Sequence, residues 1–363
     1  MSDRRSRIAH GWGAPAEPLH PTPPPVAPMS PDPTRSSLLS AKLRSLVAAH
    51  FGAAERTAED FPGGAAVVDG TTGWLLLEPN PLAALGPALV WADRRSLTDL
   101  HLVVDSSAGV VARRASLFQS PPTVWQVEGT SLAQVAAAPP RPVVPALPAP
   151  ELAQLLVDAD IEVVVEEGIV RGEVLGLEVA RIAHGSTTSG TPLDAPVLEV
   201  GVGHADRELT GLLHGNLPPK EQLDRVIDIV RTGRRRDAER HPLNQLALER
   251  WLRAVLIADP SHIGLTTLRA APPAEPRPNL RDPAVAIALG RDEATGLEAV
   301  VACSVGIHLD LVPAAADARL ALAPDARLLL VVPERDAHPV TRALAQRLLH
   351  PAELVALPGD WRA

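Results

Sequence analysis

Ala65-Ala66-Val67-Val68, then Asp69-Gly70-Thr71-Thr72-Gly73, then Trp74-Leu75-Leu76-Leu77-Glu78 reads as two short strands joined by a Gly-bearing hairpin loop. Upstream, Leu39, Leu43, Leu46 and Val47 fall at the i, i+4, i+7, i+8 spacing of a helix that buries one face. With Ser36 or Ser37 as N-cap, this predicts a helix over 37–51. Downstream the pattern predicts a helix over 81–95, a strand over 100–104, a helix over 110–118 and a strand over 123–127. Strands that alternate with helices imply a partly parallel sheet.

The end of the chain runs through the same order. Leu248, Trp251, Leu252 and Val255 are spaced 0, 3, 4, 7, which predicts a helix over 243–258. Strands are expected over 284–289 and 297–303, flanking the loop Arg291 to Gly296. Ala316-Asp317-Ala318-Arg319 answers Ala92-Asp93-Arg94-Arg95, Pro339 to Leu349 answers Val110 to Phe118, and Glu353 to Leu357 answers Thr123 to Val127. An internal duplication would lay Trp74–Glu78 over Leu297–Val301 and Leu100–Val104 over Leu328–Val332. Two ordinary α/β units converging on one order is the competing reading.

The middle differs. After a short helix, Glu151 to Val157, come strands over 161–166, 169–174, 177–182 and 196–202, antiparallel in pattern, with a Gly- and Thr-rich loop from Gly185 to Thr191. Helices over 205–214 and 219–232 close it. Residues 1–36 hold nine prolines without apolar periodicity and are expected to be a disordered tail, Met29 being a second candidate start. Residues 139–150, with six prolines, read as a semi-rigid linker. The expected organisation is therefore α/β throughout, with mixed sheets flanked by helices. Two similar outer α/β units, 37–138 and 241–363, surround a strand-rich α+β unit, 151–240.

Composition bounds the function. Hydrophobic residues make up 46% and charged residues 21% of 363, close to globular averages, so the chain can build cores. Aromatics are only 2% with no Tyr, so Ala, Val and Leu must fill those cores. A formal charge of -9 argues against a general polyanion binder. The single Cys303 lies in the apolar run Ala299-Val300-Val301-Ala302 and excludes an intrachain disulfide or a CxxC metal site. No stretch approaches the length of an apolar membrane span and no signal peptide opens the sequence, so a cytoplasmic protein without membrane attachment is expected.

The richest polar cluster is in the middle unit. Glu173, Glu178 and Glu199 fall on neighbouring predicted strands, and His204, Asp206, Arg207 and Glu208 where a helix should begin. Carboxylates converging from adjacent strands can hold Mg²⁺ or Mn²⁺ and activate a water for phosphodiester hydrolysis, with His204 as base and Arg181 supplying positive charge. Equally, alternate strand positions face solvent, and acids in a first helical turn follow from the helix dipole alone. Arg231, Arg234, Arg235, Arg236 and Arg240 form a basic connector that can contact phosphates. The interleaved Asp237 and Glu239 favour a solvated connector instead. His308, Asp310 and Asp317 form a polar group, in which Asp317 is expected to pair with Arg319 or to cap a helix.

The order helix, strands, helix, strand over 243–360, with Glu249-Arg250-Trp251-Leu252 opening it and Leu328 to Pro333 late in it, resembles the restriction-endonuclease-like fold. That resemblance implies an acidic residue on one strand and Glu or Asp, any residue, Lys on the next. Here Asp282 stands for the first acid, but Val300-Val301-Ala302-Cys303-Ser304 supplies neither the second carboxylate nor the lysine, and Glu298 is too early. The middle runs Glu178-Val179-Ala180 and Glu199-Val200-Gly201 also lack the lysine; only Lys42 and Lys220 exist, neither on a predicted strand. The whole chain also resembles proteins of high-GC bacteria, a likeness that carries no activity with it.

The sequence is read as a non-catalytic, nuclease-fold-like binding or assembly protein that needs no cofactor, its partner a protein or a nucleic acid. The alternative is a Mg²⁺- or Mn²⁺-dependent nuclease or phosphoesterase that uses Glu173, Glu178, Glu199 and Asp206 as ligands.

Overall fold

The computed structural model describes residues 33–203, 206–207, 217–235, 242–276, 284–292 and 295–362. The tail through 32, most of the helix expected over 205–214, and His204, Glu208, Arg236, Arg240 and Asp282 lie outside the described residues.

The N-terminal unit opens with α1 (Pro33–Phe51). This helix starts before the expected serine cap because Pro33 is preset for a first turn. Next come β1 (Thr57–Glu59), β2 (Gly64–Asp69), β3 (Thr72–Leu77), α2 (Pro81–Arg94), β4 (Asp99–Val104), α3 (Ala108–Ala115), β5 (Thr123–Glu128) and β6 (Ser131–Gln134). The short edge strands β1 and β6 carry too few apolar residues to show a periodicity. Asn80 caps α2 by accepting from the Ala83 amide at 3.2 Å, with Pro81 in the first turn.

The middle unit is α4 (Pro150–Asp158), β7 (Glu162–Glu166), β8 (Ile169–Val174), β9 (Leu177–Ala183), β10 (Val197–Val200) and α5 (Pro219–Gly233). Its sheet is antiparallel in the order β10-β9-β8-β7. Before it, residues 139–149 run without helix or strand.

The C-terminal unit is α6 (Leu248–Ala258), β11 (Thr267–Ala271), β12 (Ala286–Arg291), β13 (Glu298–Cys303), α7 (Leu311–Leu322), β14 (Arg327–Pro333), α8 (Pro339–Gln346) and β15 (Glu353–Leu357). The helix expected over 243–258 is split: Pro242–Gln245 forms a separate 3-10 turn and Ala247 is left-handed at φ 45. At the break the Arg234 guanidinium takes the carbonyls of Leu243 and Leu246 at 2.6 and 2.8 Å, and at 3.0 Å that of Ala247, which also accepts the first helical bond from the Trp251 amide.

The outer sheets share one plan. Strands β1 to β5 and β11 to β15 lie in sequence order, with antiparallel, antiparallel, parallel and parallel pairings in each. Hydrogen-bond register lines up Ala66, Leu75, Leu102 and Val124 across the first sheet, and Ile287, Ala302, Leu330 and Leu354 across the other. Leu100–Val104 thus corresponds to Leu328–Val332 as expected. Leu75 stands level with Ala302, however, four positions beyond the pairing read from sequence, because the two hairpin loops differ in length.

Both rows face one core. Helices α2, α3, α7 and α8 fill the space between the outer sheets, with Leu85, Leu89, Val111, Val312, Ala315 and Leu344 among the buried residues of a single cluster. Alanine-rich faces replace the missing aromatics and let the helices approach closely: a Cβ on Gly86 would lie 2.1 Å from the Leu309 carbonyl oxygen. At the junction Phe118 and Leu348 form an antiparallel bridge, Gln119 N donating to Arg347 O at 2.9 Å and Leu349 N to Leu117 O at 2.8 Å. Each bridge residue stands five before the first residue of the last parallel strand of its own sheet. The outer faces are covered by α1 and α6. No described helix is long and apolar enough to cross a membrane.

Candidate functional site

The middle-unit carboxylates do not converge on open space. Glu162, Glu173 and Glu178 stand in one cross-strand row of β7, β8 and β9, where like charges repel unless compensated. Four arginines, two of them on α6, supply the compensation. Arg253 donates to Glu173 at 2.6 Å, Arg250 bonds both Glu173 and Glu166, the latter at 2.8 Å, Arg171 lies 3.7 Å from Glu166 and bonds Glu178, and Arg207 reaches Glu178 at 2.9 Å. The result is a ladder of alternating charge running Arg253, Glu173, Arg250, Glu166, Arg171, Glu178, Arg207. Burial opposes the charge on Arg250, but Glu173 and Glu166 outweigh it and hold its pKa above the ordinary value. Because α6 supplies Arg250 and Arg253, the ladder fastens the middle unit to the C-terminal one.

Glu162 alone is left over. Its Oε1 is buried without a hydrogen-bond partner, and burial raises its pKa to about 7 in spite of Arg253.

Glu199 lies apart from the ladder. It accepts from Arg181 Nε at 2.8 Å and from the Thr188 amide and hydroxyl, both at 2.6 Å, which pins the Gly- and Thr-rich loop to β10. Burial works against its charge, yet the Thr188 and Arg181 bonds keep its pKa below the usual value. Asp206 accepts from the Val202 amide at 2.7 Å. Among the described residues no group of three or more His, Cys, Asp or Glu is placed to hold a metal ion.

Of the arginine connector, Arg231 and Arg235 are exposed as a solvated strip would have them, and Arg234 is not. Arg234 is buried against the Trp251 ring, 4.5 Å from its centroid, with its two terminal nitrogens on carbonyls, and burial lowers its pKa to about 9. Arg231 donates to the Asp160 carbonyl at 3.2 Å, and the Arg235 carbonyl accepts from Asn244. Of these, Arg234 satisfies backbone acceptors inside the fold and Arg231 does so at the surface.

One cleft, of about 670 Å³, is walled by all three units. Asn80 and Ala83 open α2, Arg114 comes from α3, Glu166 from β7, Arg250 and Arg253 from α6, and His308 and Asp310 from the loop between β13 and α7. The cleft adjoins the loops that leave the carboxyl ends of β3 and β13, where open α/β sheets commonly bind ligands. Its polar groups fall into two sets. Glu166, Arg250 and Arg253 belong to the ladder, and Glu275 accepts from Arg113 at 2.8 Å. Arg114 uses only Nε, donating to Asp317 at 3.0 Å. Asp310 occupies the α7 cap position without a side-chain capping bond. Burial raises the Asp310 pKa against the pull of His308 and Arg114.

Asp317 was expected to pair with Arg319 or to cap a helix. It lies inside α7 and takes Arg113 and Arg114 instead, while Arg319 donates to the His350 carbonyl. The sequence did hold a signal: an acid within the run Ala314-Ala315-Ala316-Asp317-Ala318, and two arginines among the small apolar residues of α3, are charges that burial forces to find each other. Reading also passed over Lys42, whose ammonium bridges Glu78 at 2.8 Å and Asp105 at 2.5 Å beside the carboxyl ends of β3 and β4. Burial lowers its pKa, but the two carboxylates reverse that and raise it overall.

Comparison with family models, with curated proteins and with solved structures returned no match.

Proposed function

We propose that the chain is a non-catalytic binding protein whose site is the cleft shared by its three units. The observation that carries this reading is the division of polar groups around the cleft: most are consumed in fixed ion pairs, while Arg114, His308 and Asp310 face the space with capacity left over. A rigid wall carrying a few convergent polar groups is what a small-molecule site needs. Metal-dependent phosphodiester hydrolysis has less support. Glu173, Glu178 and Glu199 are each held by arginine, and both lysines lie on helices. On this reading the outer units are nuclease-like scaffolds without the motif's lysine, and the protein works in the cytoplasm. The shared strand order and register support their being diverged copies of one unit.

The test is a thermal-shift survey of the full chain against mixed small metabolites, followed by amide hydrogen exchange on the hits. Protection should appear in residues 80–83 and 306–314. Hits that protect only other segments would remove the cleft from consideration.

A further inference from the structure

The cleft wall also restricts what chemistry can bind, taking the cleft as the site. Arg114 is only 6% exposed and cannot swing out to water, since its Nε is held by Asp317. Its two terminal nitrogens have no hydrogen-bond partner among the described residues, and Arg114 lines the cleft. A guanidinium edge of this kind presents paired N–H donors in the spacing of a carboxylate.

Asp310 is the complementary case. No other described residue donates a hydrogen bond to its carboxylate, and it does not cap its own helix. His308 and Arg114 attract its charge without bonding it, so a carboxylate in this position, partly withdrawn from water, is further stabilised by a cation brought from outside. Every other ionised group of the wall is already matched: Glu166 by Arg250, Arg253 by Glu173, and Glu275 by Arg113. Leu82, Pro273, Val285 and Ile287 supply an apolar surface beside them.

We propose that the cleft binds a small zwitterion of the amino-acid class, with its carboxylate on the terminal nitrogens of Arg114, its ammonium on Asp310 and an aliphatic portion against the apolar wall. A lone anion would place a second negative charge near Asp310. A lone cation would leave the Arg114 donors unmatched and add a positive charge beside them. A cleft of about 670 Å³ accommodates a molecule of this size.

The experiment titrates the full chain by calorimetry with three probes of one skeleton: L-leucine, isocaproate, which lacks the amine, and isoamylamine, which lacks the carboxylate. L-Leucine should bind at least about tenfold more tightly than either analogue, the worth of one charged hydrogen bond. In Asp310→Asn the preference for leucine over isocaproate should fall to about one, and Arg114→Lys should erode the preference over isoamylamine. A general loss of fold would weaken all probes together and leave those ratios unmoved. Isocaproate binding as tightly as leucine, or an unchanged ratio in Asp310→Asn, overturns the zwitterion. If amide exchange over 80–83 and 306–314 then still slows with some other metabolite, the cleft reading survives without it. If no metabolite slows that exchange, both are overturned.

Discussion

Arg113 and Asp317 are 204 residues apart in the chain, yet Arg113 Nε donates to Asp317 Oδ1 at 2.7 Å, joining α3 of one outer unit to α7 of the other. Arg113 Nη2 and Arg114 Nε both donate to the second oxygen at 3.0 Å, and Asp317 is 0% exposed. Removing the acid leaves two buried cations side by side with only Glu275, on Arg113, to balance them. Asp317→Ala should lower unfolding free energy by about 3–5 kcal/mol. Replacing the cluster with apolar residues, as in Arg113→Met, Arg114→Leu, Asp317→Leu, should recover much of that loss. Denaturant titration followed by tryptophan fluorescence measures both; a loss below about 1 kcal/mol for Asp317→Ala would show that the pair is not holding the units together.

Glu162 gives the protein a pH dependence of defined sign. Its folded pKa, about 7, lies above the ordinary 4.5, so the folded state binds this proton more tightly than the unfolded chain does. The resulting stabilisation is complete below about pH 4.5 and is lost as pH rises through about 7, up to about 3 kcal/mol in all. Glu162→Gln, which cannot ionise, should remove that slope and be more stable than the parent at pH 8. Parallel slopes for parent and variant between pH 5 and 8 would contradict the assignment.

Gly86 separates intrinsic helix preference from packing. In an exposed helix interior Gly→Ala gains about 1 kcal/mol. Here the added methyl meets the Leu309 backbone at 2.1 Å, and backbone cannot step aside as a flexible side chain can. Gly86→Ala should therefore destabilise, by about 1–3 kcal/mol. A rise in the thermal midpoint would show that α2 and the loop before α7 do not make this contact.

Cys303 is fully buried in β13, and burial raises its thiol pKa to about 12. A thiol-specific reagent at pH 8 should fail to modify the folded protein and should react with one equivalent in denaturant. Modification without denaturant at a rate independent of stability would mean that β13 is accessible.

The carboxylate and arginine pairing bears directly on catalysis. Purified protein should not cleave single- or double-stranded DNA or RNA with Mg²⁺ or Mn²⁺, because the middle carboxylates are already occupied by arginines. Cleavage abolished by Glu178→Ala together with Glu199→Ala, with the circular dichroism spectrum unchanged, would reverse the reading.

Much of the fold was legible because elements with a buried face carry it in their apolar spacing. Leu43, Leu46 and Val47 marked α1, Trp251 and Leu252 marked α6, and the parallel strands β4 and β14 showed as apolar runs. Short edge strands such as β1 and β6 left no such trace, since few of their residues are buried. The candidate site was barely legible. Glu173, Glu178 and Glu199 were singled out as titratable groups on neighbouring strands, which was correct as placement, but the arginine partners of Glu173, Arg250 and Arg253, lie some 80 residues on.

The sequence by itself determined helix or strand, and the inward face, for the segments with a buried apolar face, because 3.6- and 2-residue periodicity are properties of consecutive residues. Only the tertiary structure decided that Asp317 meets Arg113 and Arg114, that Glu173 is neutralised from α6, and that Arg114 and Asp310 keep unused capacity beside one cleft. Burial makes an unpaired charge costly wherever it occurs, but it does not name the partner. The partner is chosen by how α3, α6 and α7 pack, and that packing is a property of no single stretch of the chain.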